Sequence, residues 1–189
     1  MQIGTQLEAP EGFEGLSKNT IYCLLRSDPN RRRVLLVEFR CLTPRDATQH
    51  LRAKKTYRTT LHFLSRDRFE KALEAKQIRS CEMQEELPPW FEGMTIADLR
   101  VYASFGQRKK SNHSQRIQRS ISHILPLVNN LEQVLSADMP DSLINAHARS
   151  CEPKQNETRF RTMFYAYICF GFNPLVLHYT VHNIGRWER

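Results

Sequence analysis

Five side chains suited to base recognition lie close together near the C-terminal end of this sequence. Amide and guanidinium groups make paired hydrogen bonds to base edges, and arginine also binds phosphates. The five are Gln155, Asn156, Thr158, Arg159 and Arg161, and Lys154 before them suits a backbone phosphate. The pattern predicts a site that reads duplex DNA. The simpler alternative is an ordinary core helix whose basic end is solvated.

A helix must position these side chains. Apolar residues recur at the i, i+3, i+4, i+7 and i+8 spacing of one buried helical face, namely Phe160, Met163, Phe164, Tyr167 and Ile168. Asn156 is a favourable N-cap, Gly171 a favourable end, and Pro174 prevents continuation. We therefore expect a helix with one apolar face and one cationic face, whose first N–H groups favour anions.

The charge of the whole chain also favours a polyanionic partner. Its 189 residues include 28 Lys and Arg against 20 Asp and Glu, a formal net charge of +8 with a pI near 9.5. Two basic clusters are expected to bind DNA phosphates without reading sequence. The first contains Arg31, Arg32, Arg33, Lys54, Lys55 and Arg58, and the second contains Arg108, Lys109, Lys110, Arg116 and Arg119.

The first half of the chain predicts a small α+β domain over residues 19–93. Two β-rich runs, 20–26 and 33–40, flank an Asp-Pro-Asn turn and predict a hairpin. A third short strand is expected over 57–63. The fold class predicted for the whole chain is α+β, with this hairpin and helix unit followed by an all-α domain.

Three further features delimit the first domain. Residues 1–18 have no hydrophobic periodicity and are expected to form a flexible lead-in. Ser65 is expected to cap a helix over 66–77. The stretch 87–93, which contains two prolines, a tryptophan and a phenylalanine, breaks the periodicity and predicts the domain boundary.

The second half is predicted to be helical. Thr95 and Asp98 have the spacing of a capping box, so residues 94–114 are expected to hold a helix and a basic linker. Residues 115–189 are expected to form a three-helix, helix-turn-helix DNA-binding domain. Its first helix contains Pro126, which should kink or split it, and its second begins with Asp138 as a cap.

No stretch of the sequence offers a convincing catalytic or metal site, and no cofactor is expected. The glycines are not arranged as a phosphate-binding loop, and the acids are dispersed. The five cysteines include no C-x-x-C pair, which predicts reduced, mostly buried thiols in a cytosolic protein. Apolar runs are too short to span a bilayer, so no membrane partner is expected.

The second half resembles a known family, the TnsB/TniA-type transposases, which are relatives of the Mu transposase and retroviral integrases. The resemblance covers roughly residues 110–189, and before that it extends only to the order of elements. It rests on the segments 124–128, 135–140, 144–149, 155–161, 170–173 and 182–189, which look like the region that precedes the catalytic core.

The resemblance implies recognition of transposon-end duplex DNA by several small domains. The family's reading helix falls on 156–170, so the five side chains named first inherit its contact role. Such transposases continue into an RNase H-like domain with three metal-binding acids, whereas this sequence stops at Arg189. We therefore expect a part or a remnant of a longer transposase, without catalytic activity of its own.

The resemblance also implies a setting. A chain of this kind is expected in the bacterial cytoplasm, associated with the nucleoid. Other transposition proteins could be partners, and oligomers are expected only on DNA or in the full-length protein.

Two other classes remain open. One is a free-standing DNA-binding regulator built from the same modules. The other is a protein-interaction module in which Trp90, Phe91, Tyr165 and Phe172 form docking surfaces. A steep dependence of DNA affinity on salt would separate both DNA-binding classes from the interaction module.

Overall fold

The protein is mixed α+β, as its sequence predicts. The structure is a computed structural model that describes residues 1–42, 56–104 and 113–177. These residues form five strands and six α-helices. The chain divides into two compact units, Met1–Gln84 (unit 1) and Glu85–Arg189 (unit 2). The division comes before the proline-rich stretch 87–93, whereas the sequence predicts it after that stretch.

Unit 1 is an antiparallel sheet covered on one face by a helix. Its strands are β1 (Gln6–Glu8), β2 (Ile21–Asp28), β3 (Arg33–Leu42), β4 (Thr56–Ser65) and β5 (Arg79–Ser80), in the spatial order β4-β3-β2-β1-β5. The helix α1 (Arg66–Glu74) follows β4 directly. The predicted hairpin is β2–β3, and the predicted third strand is β4, three residues longer than expected.

Alternation along the strands explains the core of unit 1. Successive residues of a strand point to opposite faces, so Leu24, Val34 and Leu36 share the face that α1 covers. They join Phe69 and Ala72 of α1 in one apolar cluster. The alternating residues that point to the opposite face, such as Leu35 and Val37, are buried as well. This sheet is therefore apolar on both faces.

The predicted flexible lead-in is wrong for residues 6–8. They form β1, which pairs with both β2 and β5, and Leu7 is completely buried in the core. A three-residue strand is too short for periodicity to reveal. The predicted cap of α1 also differs, because Ser65 precedes the helix but makes no side-chain capping hydrogen bond.

Unit 2 is helical. Its helices are α2 (Ile96–Ser104), α3 (His113–Asn129), α4 (Leu131–Ser136), α5 (Pro140–Ser150) and α6 (Glu157–Cys169). Two short 3₁₀ helices, Pro89–Phe91 and Pro174–Leu177, complete the described part. The second of these packs against α2, α3 and α6. The described residues of unit 2 thus hold the helix expected within 94–114, and after it four α-helices where three were expected, because the first of the three is divided into α3 and α4.

Local signals fix several helix ends as expected. The hydroxyl of Thr95 accepts the Asp98 N–H at 3.2 Å, and the Asp98 carboxylate accepts the Thr95 N–H at 2.8 Å, so α2 opens with a true capping box. The chain breaks at Asn130, four residues after Pro126, and separates α3 from α4. The predicted cap Asp138 is wrong, because Met139 directly precedes α5 and no side chain caps it.

Helix α6 begins and ends where its sequence predicts. The Asn156 Oδ1 accepts the Arg159 N–H at 3.0 Å. At the other end the Phe172 N–H reaches the Tyr167 carbonyl at 2.8 Å around Gly171, whose φ of +71° suits glycine. The predicted cationic face along the helix is wrong. From Phe160 onward nearly every side chain is buried, so solvent reaches mainly the first turn.

Candidate nucleic-acid interface

A shallow cleft between α3 and the first turn of α6 brings together polar residues from two distant parts of the sequence. We call it the α3–α6 cleft. Its apolar floor comes from Ile124, Phe160 and Met163. Its polar walls are Ser120 and His123 of α3 with Gln155, Asn156 and Arg159 of the α6 start.

Helical geometry extends the α3 wall of the cleft with two cations. Arg116, Arg119, Ser120 and His123 are spaced i, i+3, i+4 and i+7, so they lie along one face of α3. Arg116 and Arg119 are both exposed. The basic cluster in the sequence predicts these two arginines as phosphate contacts. It does not point to Ser120 and His123, although their spacing from Arg116 places them on the same helical face.

A hydrogen bond from α5 holds this part of α3 in place. The His147 Nε2–H donates to the His123 carbonyl over 2.7 Å, and the His147 ring lies 5.8 Å from the Phe160 ring. Helix α5 therefore contacts both the α3 wall and the apolar floor of the α3–α6 cleft. The packing of α5 therefore helps to fix the distance between the two walls.

The α6 wall contains three of the side chains predicted to read bases, and the predicted phosphate contact Lys154 directly precedes them in the sequence. Arg159 and Lys154 are exposed, Gln155 is half-buried, and Asn156 is exposed. The Asn156 Oδ1 is engaged as the helix cap, and the Gln155 side-chain amide donates to the Pro153 carbonyl. Both amides thus have structural roles in this turn, and the exposed cations beside them are Arg159 and Lys154.

The structure places Arg161 away from this surface. Its side chain is only 16% exposed, and its Nη1 lies 3.4 Å from both the Asp141 Oδ2 and the Asn145 Oδ1 of α5. The Tyr165 hydroxyl donates to the other Asp141 oxygen over 2.8 Å. Burial, followed by the neighbouring Asp141 charge and this hydrogen bond, raises the pKa of Tyr165 well above its ordinary value. The predicted reading role of Arg161 is therefore contradicted by its position, which ties α5 to α6.

Thr158, the remaining predicted base reader, is half-buried on α6, and its carbonyl accepts the Thr162 hydroxyl at 2.9 Å. The acid beside it, Glu157, pairs with Arg149 at 3.0 Å. That pair offsets one negative charge at the start of α6. Apart from Arg149, which pairs with Glu157, the exposed basic residues around the cleft are Arg116, Arg119, Lys154 and Arg159.

The first basic cluster of the sequence separates into two places on unit 1. Arg31, Arg32 and Arg33 lie at the β2–β3 turn, while Arg58 lies on β4 opposite Arg40. Arg40 lies seven positions after Arg33, which corresponds to ~23 Å along β3. The four arginines of this cluster therefore lie on two separate surfaces of unit 1.

The arginines at the turn have structural contacts. Arg32 pairs with Asp67 of α1, and the Arg33 guanidinium lies 5.3 Å from the centre of the Phe63 ring. The Arg31 N–H donates to the Asp28 carboxylate at 3.1 Å. That bond is the main reason why the pKa of Asp28 is lowered from its ordinary value.

Five predicted phosphate contacts, Lys54, Lys55, Arg108, Lys109 and Lys110, lie outside the described residues. The aromatic surfaces suggested for a protein-interaction module are largely absent. Trp90, Phe91 and Tyr165 are buried, and of the four only Phe172 is exposed, at 37%. The expectation of mostly buried cysteines is also wrong, because two of the five, Cys23 and Cys169, are buried.

The described part of the chain, residues 1–42, 56–104 and 113–177, holds neither a metal-ligand cluster nor a membrane-spanning helix. No group of three or more His, Cys, Asp or Glu side chains there could hold a metal ion. None of the helices within those residue ranges is both long and apolar enough to cross a membrane.

No protein-family model and no curated protein sequence matches this chain.

Proposed function

We propose that this chain binds duplex DNA through the α3–α6 cleft and the cations that flank it. The observation that carries this proposal is the meeting of Arg159 and Asn156 with Ser120 and His123 around one small cavity. Two exposed arginines extend the α3 wall, and Lys154 extends the α6 wall. A surface with four exposed cations and neutral hydrogen-bonding groups suits a sugar-phosphate backbone.

Helices α5 and α6 are proposed to act as a variant of the helix-turn-helix. They pack against each other and are joined by residues 151–156. In helix-turn-helix proteins the N-terminal residues of the second helix contact base edges. The exposed first turn of α6 supports this mode, with Arg159 as the main base contact and Arg116, Arg119 and Lys154 as phosphate contacts.

The ends of a transposable element are the proposed target. The support for this is the sequence resemblance of residues 110–189 to the DNA-binding region of TnsB/TniA-type transposases. In that role the chain would position the DNA, and a metal-dependent catalytic domain of the kind found in those transposases would cut and join it. A protein of this kind is proposed to work beside other transposition proteins at the element ends.

Replacing Arg159 tests the proposal directly. Arg159→Ala should weaken binding to an element end by about 1–3 kcal/mol and weaken binding to random duplex less, because a base contact adds to the phosphate term. Fluorescence anisotropy with labelled duplexes measures both affinities at one fixed salt concentration. Arg100→Ala, an exposed arginine of α2, is the matched control and should leave both unchanged.

Two results would count against the assignment. Equal losses on both duplexes would make Arg159 a phosphate contact only, and the element-specific part of the proposal would be wrong. An Arg159→Ala chain that binds both duplexes as tightly as the unmodified chain would rule out the first turn of α6 as the contact surface.

A further inference from the structure

Two arginines lie directly opposite each other at the outer end of the β3–β4 pair. Arg40 on β3 is the register partner of Arg58 on β4. Side chains in such pairs lie on the same face of the sheet, with Cβ atoms about 4.5–5.5 Å apart. Arg40 is 68% exposed at its side chain, and Arg58 is exposed too. We call these two residues the arginine pair.

The pair lies where the sheet narrows to two strands. The register of β2 with β3 ends at Tyr22 opposite Glu38, whereas the register of β3 with β4 continues to Leu42 opposite Thr56. The arginine pair is thus beyond the last register partner of β2. Arg40 alternates with Glu38 and Leu36, so the pair points to the same face as the apolar core but lies past it.

Within the described strands β3 and β4, one acid stands near the two arginines. Glu38 is the single acid in the sequences of β3 and β4. Its carboxylate lies 3.2 Å from the His62 Nε2 and 3.9 Å from the Arg40 Nε, the longer of the two contacts. Like charges directly opposite across strands are destabilising. A sheet that keeps two arginines in this register therefore gains from an anion between them.

We propose that the arginine pair binds the phosphate backbone of duplex DNA. Arginine forks bind phosphate in a bidentate geometry, and two forks from neighbouring strands can grip adjacent phosphate oxygens. A two-stranded antiparallel ribbon is also a shape that DNA grooves accommodate. This inference rests on the proposed function, because it names a second DNA contact, on unit 1, that includes Arg40, a residue outside the predicted phosphate contacts.

Neutralising the pair gives a measurable signature. In the full chain, Arg40→Gln with Arg58→Gln should flatten the slope of log affinity against log salt by about 0.9 for each lost phosphate contact, so by up to ~1.8. The loss should be the same on element ends and on random duplex. Lys71→Gln with Lys76→Gln removes the same charge from exposed positions on and just after α1, and it should leave the slope unchanged.

A structural role of the arginine pair would instead lower the melting temperature of the Arg40→Gln, Arg58→Gln variant. Relief of like-charge repulsion should keep the melting temperature of the glutamine double variant at or above that of the unmodified chain. Arg40→Lys with Arg58→Lys keeps the charge but loses the fork, so it should keep the slope and lose part of the affinity.

The inference would be overturned if the Arg40→Gln, Arg58→Gln variant had the same slope as the Lys71→Gln, Lys76→Gln control. The occupant of the arginine pair would then be an acidic protein surface. If Arg159→Ala still weakened binding, the proposed function would stand. A lower melting temperature with unchanged DNA affinity would likewise assign the pair to folding. An unmodified chain that binds no duplex would overturn both proposals together.

Discussion

Arg161 and Arg159 lie two residues apart on α6, and we expect their replacement by alanine to affect different properties of the protein. Arg161 is 16% exposed and contacts Asp141 and Asn145, whereas Arg159 is exposed beside the α3–α6 cleft. Arg161→Ala should therefore destabilise unit 2, and Arg159→Ala should instead weaken DNA binding.

The size of the Arg161 effect follows from its contacts. Hydrogen bonds to charged groups contribute about 1.5–3 kcal/mol. Both Arg161 contacts are long at 3.4 Å, so the lower half of that range, about 1.5–2 kcal/mol, applies. For a unit of this size, even the smaller value should lower the melting temperature by roughly 6–12 °C. Arg159→Ala should stay within about 0.5 kcal/mol of the unmodified chain, as exposed substitutions do.

Urea denaturation followed by tryptophan fluorescence suits this comparison, because Trp90 is buried in unit 2. Anisotropy on a labelled duplex supplies the DNA affinity of each variant under native conditions. The reasoning would be refuted if Arg161→Ala left the urea midpoint unchanged and weakened DNA binding as much as Arg159→Ala does.

Three further predictions concern stability. Tyr165→Phe removes the hydroxyl that donates to Asp141 and should cost about 1–2 kcal/mol in the same urea assay; an unchanged midpoint would contradict it. Thr95→Ala breaks the capping box of α2 and should cost about 0.5–2 kcal/mol, while Thr95→Ser should restore most of it. Backbone hydrogen bonds, from Arg31 to Asp28 and from Thr95 to Asp98, lower the pKa values of both carboxyls. The stabilisation that these two carboxylates contribute is thus present above the ordinary aspartate pKa of about 3.9 and is lost as the pH falls through the lowered values. Asp28→Asn should therefore make the free energy of unfolding, measured below about pH 4, depend less on pH.

Strong local patterns made much of the fold predictable. The β2–β3 hairpin follows from two β-rich runs around Asp28-Pro29-Asn30. The Asp28 carboxylate closes this turn by accepting the Asn30 N–H at 3.0 Å. The ends of α6 follow from Asn156 and Gly171. The strand β1 could not be predicted, because three residues carry no period and owe their conformation to partners up to 73 positions away in the sequence.

The candidate site was predictable only in part. Sequence spacing identified the first turn of α6 and two arginines of α3, but it could not show that Ser120 and His123 face that turn. Periodicity also treats every polar residue on a helix as exposed. It could not reveal that Arg161 points toward Asp141 of another helix, or that Arg40 has Arg58 as its register partner. Those facts depend on contacts between elements.

The salt dependence of duplex binding, measured with and without the cations beside the α3–α6 cleft, tests the central claim most directly. Arg119→Gln with Lys154→Gln removes two exposed charges, one from each wall of the cleft. The unmodified chain should bind with a steep negative slope of log affinity against log salt, and the double variant should flatten it by about 1.8. A slope that is the same in both proteins, or an unmodified chain whose affinity does not change with salt, would contradict the account.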